Sequence, residues 1–354
     1  MRTLFILVTV LCVLLVPLSV KVYKARQQRL AVQWVLENDG YIMYDYQLDE
    51  EGTYVTEIPT DNLWLRSVLG NDLFDTPVDV TLGNPAITDI SNLSHLQSLE
   101  TVHLIDPENV DLSPLSSLRN LDSCMIEFSS EKSFTAKHIA ELSKLDCSLT
   151  IYLDGQFMQD LTLIQQLSNV RVLGIYNSQI SDLSPLIQLD QLENLNIQGP
   201  NVTDLTPLAK LINLRDLKLN TPKVKVLAPL QNLVNLEDLR IHGATVTDIT
   251  PFAKLVNLQY LSFRSSKIKD LSPLENLTSL ETLSLDCSEI TDLTPLAKLV
   301  NLRFSRLDTP KANDLSPLFK LSNLENLTLV GMELQKAEID KLQKALPNCV
   351  IKNQ

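Results

Sequence analysis

Glycine is scarce in this chain, 9 in 354 residues, and aromatic side chains make up only 5%. With so few glycines there is no Gly-rich phosphate loop and no Gly-x-Ser-x-Gly elbow. The four histidines, His95, His103, His138 and His242, are scattered, without a His-x-x-x-His pair. Five cysteines, Cys12, Cys124, Cys147, Cys287 and Cys349, show no Cys-x-x-Cys or other metal spacing. They read as small buried apolar residues, with a bridge between Cys124 and Cys147 left open. Cations are outnumbered, 30 Lys and Arg against 43 Asp and Glu, for a net charge of −13. That balance argues against nucleic acid, whose binding rests on neutralising phosphates. The chain is expected to have no catalytic residues, no cofactor, no metal and no small-molecule substrate.

What it does have is a ruler. Pro185, Pro207, Pro229, Pro251, Pro273, Pro295 and Pro317 stand 22 residues apart, most within an Asp-Leu-Ser/Thr-Pro-Leu phrase. Leucines keep the same phase: Leu214-x-x-Leu217-x-Leu219 recurs as Leu236, Leu239, Ile241, then Leu258, Leu261, Phe263, then Leu280, Leu283, Leu285. The Leu-x-Leu piece alternates with period two and predicts a short strand with its apolar side chains pointing into a stack. In Val202 to Leu208, Thr206 is expected to cap and Pro207 to open a short helical turn. A fixed period of this size means one supersecondary unit stacked many times, so the product is a solenoid with an extended surface. Carried both ways, the phase places strand ends at Leu82, Leu104, Ile126, Leu153, Ile175, Ile197, Leu219, Ile241, Phe263, Leu285, Leu307, Leu329 and Ile351. The long interval between Ile126 and Leu153 holds Phe134–Leu142, which reads as an α-helix on the outer side.

These residues resemble bacterial leucine-rich repeats of the 22-residue, internalin-like subclass, over roughly residues 78 to 354. The resemblance implies an α/β solenoid, a horseshoe or arc with a parallel inner sheet of about 12 to 13 strands and short 3-10 or α turns outside. The asparagine that usually follows the strand is replaced by Ser178, Pro200, Pro222, Ala244, Ser266, Ser288 and Pro310, so another backbone pairing must hold these turns. Ser305 occupies a leucine slot and is expected to weaken its layer or to need a partner. From about residue 333 an amphipathic helix and a last strand read as a C-terminal cap.

Residues 3–20 form an uncharged run, read as a single-pass membrane anchor, with a cleaved signal as the competing reading although no small-x-small site follows. Lys21, Lys24, Arg26 and Arg29 follow the run, which puts the repeats in the cytoplasm by the positive-inside rule, whereas the family resemblance points to export. Residues 21–77 make a connector: a helix over Lys24–Asn38 ended by Asp39-Gly40, a strand over Tyr41–Leu48 and a second helix over Asn62–Gly70. This segment resembles the one that follows the anchor in planctomycete-type repeat proteins. Its expected role is to close the first open coil, with Trp34 and Trp64 as plugs.

The recurring aspartates, Asp89, Asp111, Asp160, Asp182, Asp204, Asp248, Asp270, Asp292 and Asp314, are read as acceptors for turn N–H groups rather than calcium ligands. Asn213, Asn235, Asn257, Asn301 and Asn323 likewise read as backbone-bonding turn residues, and three Asn-x-Thr triplets carry little weight in repeats of this composition. Function then falls to the concave face. Lys218, Arg240, His242 and Arg264 are expected to form a basic patch bordered by Tyr260, Phe304 and Arg306, with Asp286 and Asp308 opposite and Tyr152 and Tyr176 further along. The expected occupant is a protein partner, acidic at its centre, bound by a membrane-anchored recognition scaffold. Two alternatives stay open: an exported adhesin-like binder of carbohydrate or a cell-wall component, in which the tyrosines stack on sugars, and a structural envelope protein.

Overall fold

The computed structural model describes residues 2–49, 54–55, 63–129, 134–155, 160–243 and 245–354. Helix α1 (Arg2–Glu37) leads into strand β1 (Tyr41–Tyr44), and helix α2 (Leu63–Leu69) precedes β2 (Pro77–Leu82), β3 (Thr101–Ile105) and β4 (Ser123–Phe128). After α3 (Ala136–Leu142) come β5 (Ser148–Asp154), β6 (Val170–Tyr176), β7 (Asn194–Gln198), β8 (Asp216–Asn220) and β9 (Asp238–His242). The chain ends with β10 (Tyr260–Arg264), β11 (Thr282–Asp286), β12 (Phe304–Asp308), β13 (Asn326–Val330), α4 (Lys336–Ala345) and β14 (Val350–Asn353). All 14 strands lie in one unclosed sheet in chain order. Every one of the thirteen strand ends expected from the leucine phase falls within β2 to β14. Met1–Thr150 and Ile151–Gln354 form two compact units.

In the first unit, β1 pairs antiparallel with β2, whereas β2, β3 and β4 run parallel. The connector strand is shorter than expected, because Asp45–Gln47 turns off as a 3-10 helix after Tyr44. Asp39, with φ of 58°, and Gly40 end α1, as their turn chemistry predicts. A Cβ on Gly40 would come within 2.6 Å of Val35 Cγ1 and 2.7 Å of Leu82 Cδ2, so only glycine lets β1 turn this tightly over the core.

The membrane anchor expected at residues 3–20 is overturned: no helix among the described residues is long and apolar enough to cross a membrane. The side chains of residues 2–14 lie outside the described set. Beyond them α1 runs on without a break through Lys21, Lys24, Arg26 and Arg29, and then docks. Ala31, Val32 and Val35 are buried, and Gln28 Nε2 donates to the Asp75 carbonyl at 2.8 Å. The second half of this helix is thus a cap packed against the first coil. The plug assignment also needs correcting: Trp64 is 73% exposed, and the small aliphatic residues of α1 do the sealing. Polar ties complete the cap, with Arg66 of α2 ion-paired to the buried Asp75.

Helix α3, expected from the long interval, is capped by the Thr135 side chain, and its Glu141 Oε2 accepts the Leu112 N–H at 2.8 Å. The inserted helix therefore bonds the turn of the preceding coil as well as covering it.

The second unit shows why the ruler works. In the coil from Leu195 to Leu214, the residues Leu195, Ile197, Val202, Leu205, Leu208, Leu211 and Leu214 are all essentially inaccessible. The next coil repeats them as Leu217, Leu219, Val224, Leu227, Leu230, Leu233 and Leu236. From Ser184 to Lys320 each coil turns through a 3-10 helix such as Thr206–Lys210, with proline at its start, where its missing N–H costs no bond. Thr206 does not cap it. The cap position is Leu205, and Asp204 Oδ1 accepts both the Thr206 N–H at 2.8 Å and its hydroxyl at 2.6 Å. All nine recurring aspartates accept a Ser or Thr N–H in this way, at 2.7–3.1 Å.

Coils are joined side by side by two further ladders. Asn213, Asn235, Asn257, Asn301 and Asn323 each donate to a carbonyl 23 residues earlier, at 2.7–2.9 Å. At the strand exits, where the usual asparagine is missing, the backbone itself pairs. The N–H groups of Gly199, Thr221, Ser265 and Cys287 donate to the last carbonyl of the next strand at 2.9–3.3 Å.

Leu342, Leu346 and Cys349 are buried under the C-terminal cap. The last strand departs from the ruler: Ile351 pairs with Leu327 rather than Leu329, a slip of two residues. An even slip keeps the same side chains facing inward, so the core tolerates it.

Candidate functional site

Each of the five-residue strands β7 to β13 presents three face positions, its first, third and fifth residues, between the buried second and fourth. Across β8 to β12 the third positions are Lys218, Arg240, Ser262, Ser284 and Arg306, aligned by the strand register. The fifth positions are Asn220, His242, Arg264, Asp286 and Asp308.

The structure brings the expected cations together but does not leave them as a basic patch. Lys218 Nζ lies 3.0 Å from Asp216 Oδ2, and Arg264 Nε lies 2.6 Å from Asp286 Oδ2. Arg240 is held twice, Nε to Asp238 Oδ1 at 2.9 Å and Nη2 to Asp238 Oδ2 at 2.7 Å. Its guanidinium also sits over the Tyr260 ring, 4.1 Å from the centroid. The Asp238 hydrogen bonds push the Arg240 pKa further up, so it is a fixed charge. On these five strands four cations, Lys218, Arg240, Arg264 and Arg306, meet four anions, Asp216, Asp238, Asp286 and Asp308. The face carries balanced charge, with three of its cations paired and Arg306 and Asp308 without an ion-pair partner among the described residues.

Asp216 and Asp238 went unread in the sequence, although Tyr260 and Phe304 of the same face column were named as the border of the patch. The same period-two argument puts the first residue of each strand on the face, and that column reads Asn194, Asp216, Asp238, Tyr260, Thr282, Phe304, Asn326.

His242 Nε2 lies 3.0 Å from Ser262 Oγ. Burial first, then the neighbouring Arg264 and Arg240, hold its pKa below the ordinary imidazole value, so it is neutral at pH 7. Phe304 is 38% exposed, with the Arg303 guanidinium 5.4 Å from its centroid. Arg306 is exposed and has no ion-pair partner among the described residues.

Tyr152 and Tyr176 form a separate cluster, their ring centroids 6.1 Å apart and tilted by 32°. The uncharged face residues of β7, Asn194, Asn196 and Gln198, stand between them and the charged mosaic. Among the described residues no group of three His, Cys, Asp or Glu is placed to hold a metal ion. Among the described residues Cys124, Cys287 and Cys349 are free thiols. Burial raises their pKa values and that of Cys147, with Cys287 pushed to about 11, which leaves them unreactive.

Comparison with known proteins agrees with this architecture. Residues 256–298 match the family described as leucine rich repeats, two copies. No curated protein matches the chain. Among solved structures, an internalin, InlF, from Listeria monocytogenes is 25% identical, with 82% of this chain and 88% of that one covered and a TM-score of 0.48. A leucine-rich repeat protein of Leptospira interrogans is 18% identical, covering 84% and 93%, with a TM-score of 0.48. The functional domain of InlJ from Listeria monocytogenes is 18% identical, covering 78% of this chain and 63% of that chain, with a TM-score of 0.51. Residues 256–298 thus carry leucine-rich repeats, and the chain shares the fold of internalin-like solved structures.

Proposed function

We propose that this protein is a non-enzymatic recognition scaffold that takes a protein partner on the β8 to β12 face. Solenoids of this kind offer a preformed surface, so docking orders little of the protein and loses little entropy. The observation that carries the reading is Arg240, whose guanidinium is fixed by two bonds to Asp238 and by the Tyr260 ring beneath it. Immobilised Arg and Tyr side chains on an open sheet are the residue types that dominate binding energy at protein interfaces. Because three of its four cations are already paired, the face suits a partner of mixed charge rather than a purely acidic one. Exposed Arg306 and Phe304 supply the unsatisfied edge of the surface.

The test is capture of partners by the purified protein, with a photoreactive residue introduced at position 284, between Ser262 and Arg306 in the register. A specific crosslinked protein is expected, and Tyr260→Ala with Arg306→Glu should reduce it at least tenfold. Equal crosslinking by that double variant refutes the proposal.

A further inference from the structure

The tyrosine pair stands on an unusual strand. Between Tyr152 and Tyr176 the face position of β6 is Gly174, and a Cβ built there would come within 2.5 Å of Tyr152 Cδ1 and 2.8 Å of Tyr176 Cε2. The missing side chain is what lets both rings lie down against the sheet. Asn196 Nδ2 donates to the Tyr176 hydroxyl at 3.3 Å and fixes one ring from the next strand. The result is a half-exposed aromatic platform spanning two strands.

A groove begins beside it. Gln198 follows Ile197, which pairs with Ile175, and so stands next to Tyr176; Asn220 is paired with Gln198 in turn. These two amides, with Asn177, Gln179, Pro200 and Pro222, line an open groove along the strand exits. Not one lining residue is charged, on a chain of net charge −13. Gln179 is itself held, its Oε1 accepting Asn201 Nδ2 at 2.9 Å, and Asn177 Nδ2 donates to Asp154 Oδ1 at 2.9 Å.

We propose that this platform and groove bind a neutral oligosaccharide. A pyranose ring presents a flat face of C–H groups, polarised positive, which complements the negative face of an aromatic ring. Around its rim it presents hydroxyls that both donate and accept, and the carboxamide is the side chain that offers both roles without charge. Aromatic floor and amide wall meet at Tyr176, so one sugar stacks on the tyrosines while the next reaches Gln198 and Asn220. A nucleic acid or other polyanion would find no cation among the lining residues, and the neighbouring Lys223 is engaged by Asn201 Oδ1 at 2.9 Å.

The site shares Asn220 with the edge of the β8 to β12 face but none of its charged residues, and the experiment separates the two. The full chain is titrated with cellotetraose, chitotetraose, maltotetraose and β-1,4-mannotetraose, each followed by calorimetry and by saturation transfer from protein to sugar. At least one is expected to bind. Tyr152→Ala and the pair Gln198→Ala with Asn220→Ala should each weaken binding tenfold or more, while Tyr176→Phe, which keeps the ring, should cost less than threefold. Arg240→Glu with Arg306→Glu, which disables the protein face, should leave sugar affinity unchanged. Gln198 is half-exposed and Asn220 exposed, so that variant is expected to keep its fold, which circular dichroism checks. No binding to any of the four sugars overturns the proposal. So does binding that the Gln198 and Asn220 variant retains, or a protein partner whose crosslinking needs Tyr152 and the groove amides.

Discussion

Single residues decide whether a coil sits at its optimum. Ser305 stands between Leu283 and Leu327 in the strand register, is 8% exposed, and its hydroxyl has no bond partner among the described residues. Replacing it with leucine is expected to stabilise the second unit by about 2 kcal/mol, the value of burying one such side chain, measured as a higher urea midpoint. Thr309 is fully buried with an unpartnered hydroxyl among the described residues, so Thr309→Val removes a desolvation penalty at constant shape and should add about 1 kcal/mol. The first of these was legible in the sequence as a broken leucine slot; the second was not, because a threonine after a strand reveals nothing of its burial until the exit turn is seen. His242 illustrates the same limit at the site. Its position on the face followed from the repeat phase, but its neutrality depends on neighbours from the adjoining strands. With its folded pKa below the unfolded one, the stability it contributes is present above about pH 6.5 and is lost as pH falls from there through the folded value. His242→Asn should flatten that part of the stability profile.

At the scale of the element, the 3-10 turn with its aspartate is the recurring unit, and the coil turning at Ala228–Asn232 keeps the helix without the aspartate. Val226 and Ala228 stand where the other coils have Asp and Ser or Thr, and Val226 is 62% exposed. The double change Val226→Asp with Ala228→Thr should restore the missing turn bonds and raise stability by about 1 kcal/mol. Acid should undo the native turns together. Hydrogen bonds from the following Ser or Thr hold the carboxyl pKa of Asp160, Asp204, Asp248, Asp270, Asp292 and Asp314 below the ordinary value. Their contribution is therefore complete above about pH 4 and is lost as pH falls through the lowered folded values. A stability profile flat from pH 4 down to pH 2 would contradict that role. The aspartates announced themselves in the sequence because a local turn needs only local residues. Which residue accepted and which donated was harder to read, since Thr206 offers the same chemistry as a cap and only the backbone geometry decides.

For the whole molecule the repeat phase carried nearly all of the architecture, since a coil of fixed length can bury its leucines in only one way. Its failures lie at the ends. The N-terminal run was read by hydropathy alone, whereas α1 is a continuous helix whose basic half docks on the first coil. The last strand slips by two because α4 replaces the proline turn with a longer path. Between the ends, each coil touches mainly its neighbours, so damage should spread. Leu239→Ala, at a fully buried position in the middle of the second unit, is expected to cost roughly 3 kcal/mol and to broaden the unfolding transition. Hydrogen exchange would check it, with the largest loss of protection in β8 to β10.

The asparagine bonds reach back 23 residues, whichever coil they leave. A gene from which the 22 codons for residues 228–249 were excised would hand Asn257 an Ile212 carbonyl in place of that of Val234, at an identical seam. Such a protein should be shorter by one storey and otherwise whole, whereas excision of 20 codons should wreck it. Inheritance by duplication and loss of whole storeys is thereby built into the bonding, and the width of the recognition surface becomes a trait that recombination can set.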